Sequence, residues 1–293
     1  IQFAYDRAKA LTEILPYLSG KKRELVLAEA LTAARKAAAY WRAVAFAELP
    51  LLVSEGERCE TLEEALEGAR KHELAFVRAK SLTQLAHQMP ESEGMPVLNQ
   101  AISEVRKVEN DFELFVAAEA MAPLLPSSLL YELLSVVRGI TDTRFRTQAL
   151  TSLAAYAPQE KRKLVLIEAL ATARLIEDTS WRVETLTVLL DFGGKVQQTQ
   201  HMQEVLDLAD QVVDTQRRAE SLIKVLSLLR DDQHEHYLQK ALLSAMKITD
   251  RYQRAKTLID LIPLLPTGER MQALDDILGI TRGHRIRRLT EWD

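Results

Sequence analysis

One motif recurs along this chain at a nearly fixed interval, and that interval limits the fold more than any other feature. Arg7-Ala8-Lys9-Ala10-Leu11, Arg42-Ala43-Val44-Ala45-Phe46 and Arg78-Ala79-Lys80-Ser81-Leu82 are copies of one segment, and further copies open at Arg146, Arg182, Arg218 and Arg254. Val116-Ala117-Ala118-Glu119-Ala120 stands as a degenerate fourth copy, so successive anchors lie 35, 36, 38, 30, 36, 36 and 36 residues apart. A period in this range marks a stacked helical-repeat protein, in which each unit buries its apolar face only against its neighbours.

A second motif repeats with the first. Leu27-Ala28-Glu29-Ala30-Leu31 followed by Ala34-Arg35 matches Leu62–Leu66 with Ala69-Arg70, and again Leu166–Leu170 with Ala173-Arg174. Weaker copies run from Met202, Leu238 and Leu274. An acidic residue follows the anchor by 22 positions in Arg7/Glu29, Arg42/Glu64, Arg146/Glu168, Arg182/Glu204 and Arg254/Asp276. Apolar residues within each motif follow helical spacing. Asp142, Asp178, Asp214 and Asp250 precede the first helix of a repeat, where their oxygens can cap free N–H groups. Pro90, Pro126, Pro158, Pro266, Gly20 and Gly193-Gly194 punctuate the turn between the paired helices. Pro16 and Pro263 fall where they would bend or end the first helix.

The expected fold is therefore all-α: an α-α superhelix, or solenoid, of about eight helix-turn-helix repeats of about 36 residues. The expected repeats are 1–38, 39–72, 73–108, 109–140, 141–176, 177–212, 213–248 and 249–281, in a single domain 1–293. Residues 282–293 would form a C-terminal cap or begin a ninth repeat. The chain opens on Ile1 inside a repeat, which reads as a fragment of a longer protein. Its few glycines and prolines (10 and 9) and its wealth of Ala, Leu, Glu, Arg and Lys suit helices.

The repeat texture, Arg-Ala-x-x-Leu in one helix and Glu-Ala-Leu-x-x-Ala-Arg in the next, resembles degenerate tetratricopeptide-like and HEAT-like solenoids of large bacterial regulatory proteins, including the sensor arrays of signalling NTPases. The tetratricopeptide signature itself is not met, because no Gly-x-x-Tyr follows Trp41 or Trp181. The resemblance implies a sensing or docking arm whose effector lies elsewhere.

The anchors Arg7, Arg42, Arg78, Arg146, Arg182, Arg218 and Arg254 form a candidate binding ladder. Stacked guanidinium groups can grip carboxylate or phosphate in bidentate fashion. The competing structural reading, which we prefer, pairs each with the acidic residue 22 positions on, although Gln100 and Lys240 occupy that position after Arg78 and Arg218. The second-helix arginines Arg35, Arg70, Arg106, Arg138 and Arg174 read as solvated groups compensating a helix C-terminus. Tyr5, Trp41, Phe115, Phe145 and Trp181 read as inter-repeat core rather than a stacking stripe. Arg282, Arg285, Arg287 and Arg288, with His284, make a basic tail that suits an acidic partner or the ninth repeat equally.

No catalytic residue, metal site or cofactor is expected. His234-Glu235-His236 reads as a surface loop, Cys59 lacks a histidine in triad-like context, and Gly193-Gly194-Lys195 lacks phosphate-loop spacing. A net charge of −4 disfavours nucleic acid as a partner. A single cysteine points to a cytoplasmic setting, and no apolar run approaches a membrane span. The expected function is a non-catalytic protein–protein or ligand-sensing scaffold. Its partner would be a protein, a peptide or neighbouring domains of the parent protein. The alternative is polyanion binding through the arginine ladder.

Overall fold

The computed structural model describes residues 3–37, 45, 55–229 and 231–290. Among these every regular element is helical, and paired antiparallel helices succeed one another along the chain. They fall into two compact bodies, 1–165 and 166–293.

In the first body, helix α1 (Ala4–Ile14) pairs with α2 (Gly20–Lys36), and α3 (Glu55–Arg70) is the second helix of the next repeat. The third repeat comprises α4 (Ala75–Ala86) and α5 (Glu91–Val105), the fourth α6 (Asp111–Met121) and α7 (Ser127–Val137). Helix α8 (Thr143–Tyr156) opens the fifth repeat, and α9 (Gln159–Ala173) crosses the division between the bodies. First helices pack on first helices (α4 on α6, α6 on α8) and second on second (α5 on α7), which produces two layers. Alanine sets how closely the layers approach: Ala8, Ala30, Ala34, Ala65, Ala69, Ala79 and Ala101 are fully buried. Such small side chains permit interaxial distances toward the short end of about 8–10 Å. Leu15, Leu82, Leu85, Ile102, Met121 and Leu133 fill the space between.

The second body contains α10 (Thr179–Gln211), α11 (Thr215–Leu226), α12 (Asp231–Met246), α13 (Arg251–Leu261) and α14 (Thr267–Thr290). Helix α11 packs on α10, α12 and α13. Helical hydrogen bonding runs through Gly193 and Gly194 without the turn expected there. Two glycines disfavour a helix by only about 1 kcal/mol each, and no proline intervenes. Yet α10 is not straight. Thirty-three residues of straight helix would span about 50 Å. Arg217 bonds Asp178 at 2.8 Å, and the six-residue step from Gln211 to Arg217 reaches at most about 22 Å. Helix α10 is therefore bent within its own length.

The expected caps are formed. Asp142, Asp178, Asp214 and Asp250 each accept from an N–H of the first turn that follows, at 2.7–3.0 Å for the best bond in each case. Asn110 does the same for α6 through Glu113 N–H. Pro90 and Pro126 are the N-cap residues of α5 and α7. Pro16, Pro123 and Pro263 sit in short 3₁₀ turns that end the first helices. Buried threonines (Thr83, Thr147, Thr187 and Thr257) return their hydroxyls to the carbonyl four residues back.

The caps also fix the register. Each described anchor arginine lies four residues after its helix's N-cap: Phe3/Arg7, Leu74/Arg78, Asp142/Arg146, Asp178/Arg182, Asp214/Arg218 and Asp250/Arg254. By the same rule the fourth anchor position is Leu114, not Val116, because Asn110 is the cap. The steps around it become 36 and 32 residues. The missing four residues are one helical turn: α7 has 11 residues where α5 and α9 have 15. Removing about 3.6 residues shortens a helix without rotating its buried face.

Candidate functional site

The anchor arginines are candidates for binding, and their surroundings show what they hold. Arg78 Nη1 donates to the carbonyls of His72 (2.5 Å) and Glu73 (2.8 Å). Arg146 donates to Ile140 O at 3.3 Å, Arg182 to Ile176 O at 2.6 Å and Arg218 to Val212 O at 2.6 Å. In all four the acceptor lies six residues back, just past the end of the preceding second helix. The guanidinium therefore serves as a C-terminal cap, satisfying a carbonyl at the negative end of one repeat from the first helix of the next. Arg162 and Arg270 repeat the device inside a repeat, reaching back to Ala154 O and Leu265 O at 3.1 and 2.9 Å. No sequence signal separated this role from a ligand-binding one, because a backbone carbonyl leaves no residue type to read.

The expected pairing with the acid 22 residues on occurs at the first and last anchors. Arg7 bonds Glu29, and Arg254 Nε lies 3.3 Å from Asp276 in an ion pair without hydrogen-bond alignment. Arg78 bonds Glu104 instead, one turn beyond Gln100. Arg42 lies outside the described residues.

Two of the acidic positions, Glu64 and Glu204, serve a different arginine. Glu64 receives three hydrogen bonds from Arg35 at 2.7–3.1 Å, and Glu204 receives two from Arg174 at 2.8 Å. Arg106 meets Glu132 at 2.8 Å and Arg70 meets the Gln100 amide oxygen at 3.1 Å. The second-helix arginines are therefore not merely solvated; they join successive second helices by side-chain bridges. Arg174 holds the Glu204 carboxyl below its usual range by direct hydrogen bonding, against the opposing effect of burial. Lys240, which breaks the 22-residue rule, fits this one with reversed polarity: its ammonium bonds Asp210, the residue in the arginine's place, at 2.5 Å.

The aromatic residues before the anchors differ from expectation. Phe115 and Phe145, from neighbouring first helices, stack at 5.8 Å, and Phe112 lies 5.4 Å from Phe145. Phe112 is 54% exposed and the other two half-buried, so the cluster lies at the surface rather than in the core. Arg144 places its guanidinium 5.6 Å over the Phe145 ring while its own carboxylate partner is Asp142. In the second body Trp181 is likewise partly exposed, as are Val188 and Phe192 on the same helix. These side chains lost their place in the core because alanine-rich positions already close the contact between first helices. Tyr5 is half-buried, and Trp41 lies outside the described residues.

Two recesses accompany these surfaces. One, of about 290 Å³, lies at the turn edge of the third and fourth repeats and is lined by Met89, Met95, Leu98 and Pro123–Pro126. The other, of about 140 Å³, lies beside Trp181 between α10 and α11, with Arg217, Lys224, Glu184 and Glu220 on its walls. Lys224 pairs with Glu184 across it.

The remaining candidates do not converge. His234-Glu235-His236 lies in α12 rather than in a loop, with residues two apart diverging around the helix. Among the described residues no group of His, Cys, Asp and Glu is placed to hold a metal ion, and Cys59 is an exposed free thiol. Arg282, Arg285, Arg287 and Arg288 lie on the backbone of α14, which runs on to Thr290. No described helix is long and apolar enough to cross a membrane.

Fold and site together define an all-α helical-repeat protein. No family model matches the chain, and no curated protein matches it. Among solved structures it is similar to the crystal structure of Ton1535 from Thermococcus onnurineus NA1, at a TM-score of 0.39 and 16% identity over 94% of this chain and 92% of that one. A likeness this loose sets no detail of fold or function.

Proposed function

We propose that the chain is a protein-interaction scaffold of the tetratricopeptide-like or HEAT-like regulatory kind. It acts in the cytoplasm, binding an apolar-anchored protein or peptide through the exposed face of its first helices and leaving catalysis to other domains. The observation that carries this reading is the Phe112–Phe115–Phe145 cluster. Aromatic side chains gathered on a surface are the groups that dominate binding energy at protein interfaces. The described anchor arginines, by contrast, are engaged with carbonyls and carboxylates of their own array. A photo-crosslinker at position 112 tests this in cells. It should capture a defined protein that a crosslinker at the exposed Glu119 does not, and Phe145→Ser should abolish capture without altering the helical signal. Equal capture at both positions, or substrate turnover by the chain alone, would overturn the proposal. Affinity for nucleic acid falling steeply with salt would transfer it to polyanion binding.

A further inference from the structure

Among the described residues, the joint at Arg78 is built differently from those at Arg146, Arg182, Arg218 and Arg254. Six residues before Arg146, Arg182, Arg218 and Arg254 stand Ile140, Ile176, Val212 and Ile248, each at most 4% exposed. Before Arg78 the same position holds His72, which is equally covered at 5% exposure. The cap changes with it. The later repeats start on Asp142, Asp178, Asp214 or Asp250, whose carboxylates cap the helix. Helix α4 starts on Leu74, with no side-chain cap, and the Leu74 N–H instead donates to His72 Nδ1 at 3.0 Å.

This geometry fixes the proton state of the imidazole. An Nδ1 that accepts a backbone N–H carries no hydrogen, so His72 is neutral with its proton on Nε2. Protonation would place an N–H against the Leu74 N–H and a cation beside Arg78, which holds the same turn through His72 O and Glu73 O. The charged groups that act on the imidazole are Arg78 and Glu73; Arg78 in turn pairs with Glu104 of α5, which Lys107 also holds, and Lys71, next to His72, pairs with Glu67 at the end of α3. Burial lowers the imidazole's pKa. Arg78 lowers it further and the nearby Glu73 acts to raise it; the Leu74 N–H bond, which exists only while Nδ1 is unprotonated, favours the neutral ring.

We propose that the joint between the second and third repeats is a pH-operated latch: proton uptake by His72 releases the start of α4 from the end of α3, while the joints built on Ile or Val with an Asp cap stay closed. The sign follows from linkage. The folded joint binds the proton less well than the open one, so it is fully stable above the ordinary histidine range. It weakens as pH falls from about 6.5 to the depressed folded value, by up to about tenfold in the opening equilibrium per pH unit.

Hydrogen exchange on the whole chain, corrected for intrinsic rates, tests this between pH 7 and pH 5. Protection of the amides of residues 74–78 should fall relative to those following Asp178 and Asp214. Long-range ¹⁵N NMR should show the Nε2–H tautomer at neutral pH. His72→Ile, which installs the residue of the other joints, should remove the fall. Leu74→Asp changes only an exposed cap position, and it should remove the fall too, because its carboxylate caps α4 permanently and meets the charged imidazole. A wild-type joint whose protection is independent of pH, an Nδ1–H tautomer, or a fall that persists in Leu74→Asp would each overturn the latch.

Discussion

Replacing Arg78 by methionine tests the distinction between arginines that hold the array together and those that decorate it. The substitution keeps the aliphatic stem and removes the guanidinium. Lost with it are a charge-assisted bond to Glu104 and two bonds to the carbonyls of His72 and Glu73. The Arg78 and Glu104 side chains are only 18% and 11% exposed, so water replaces these partners poorly. A bond to a charged group contributes about 1.5–3 kcal/mol and a neutral one about 0.5–1.5. Glu104 keeps Lys107 at 2.7 Å, which moderates the loss. The expected destabilisation is about 3 kcal/mol. The comparison is Arg106→Met, which breaks an exposed pair with Glu132 and should cost about 1 kcal/mol or less. Urea unfolding followed by circular dichroism measures both. In the double variant Arg78→Met/Glu104→Gln, part of the stability should return, because no buried carboxylate is left behind. The acid limb supplies a second reading. Desolvation pushes the Glu104 carboxyl up, but hydrogen bonds from Lys107 and Arg78 outweigh it and hold the group below its usual range. Its contribution is therefore present above the ordinary glutamate range and lost as pH falls through the depressed folded value. Glu104→Gln should flatten that limb. If Arg78→Met proved no more harmful than Arg106→Met, the capping role assigned to the anchors would be refuted.

Three further outcomes are expected. Lys240→Asp sets like charges together and should destabilise α12 by roughly 1 kcal/mol; adding Asp210→Arg restores the polarity of the other bridges and should recover it, giving a double-mutant coupling of about 0.5–1 kcal/mol in low salt that shrinks at high salt. Gly94→Ala should destabilise by about 1–3 kcal/mol despite alanine's better helix propensity, since its Cβ would come within 2.6 Å of the Ala86 carbonyl oxygen; a gain in thermal stability would contradict the close approach of α5 to α4. Asp178→Ala removes both the cap on Trp181 N–H and the bridge to Arg217, and a loss of about 1–2 kcal/mol should appear in the melting of the second body.

The period, the all-helical class and the capping aspartates were legible from residue types alone. Periodicity and N-cap chemistry are local, and each leaves its mark within a few residues of where it acts. In the sequence the fourth repeat reads two residues off, because Val116-Ala117-Ala118 resembles the motif while the true anchor position, Leu114, carries no arginine. Only the Asn110 cap showed the register, and with it the loss of one turn from α7. Phe115 and Phe145 read as core in the sequence because large apolar side chains are usually buried. Their exposure follows from alanines elsewhere on the same helices, a packing outcome that no single position announces.

The partners of the arginines mark the boundary between the two kinds of knowledge. In a repeat, any two positions keep a constant offset whether or not they touch, so the 22-residue spacing of Arg and acid did not by itself say which pairs meet: Arg7–Glu29 and Arg254–Asp276 do. The sequence determined that arginine and glutamate recur, and where. Tertiary structure decided that Glu64 and Glu204 answer Arg35 and Arg174 from the repeat before, and that Arg146, Arg182 and Arg218 turn to backbone carbonyls. The physical reason is that a guanidinium takes whichever acceptor the stacking of helices brings within about 3 Å, and stacking is a property of neighbouring repeats rather than of any one.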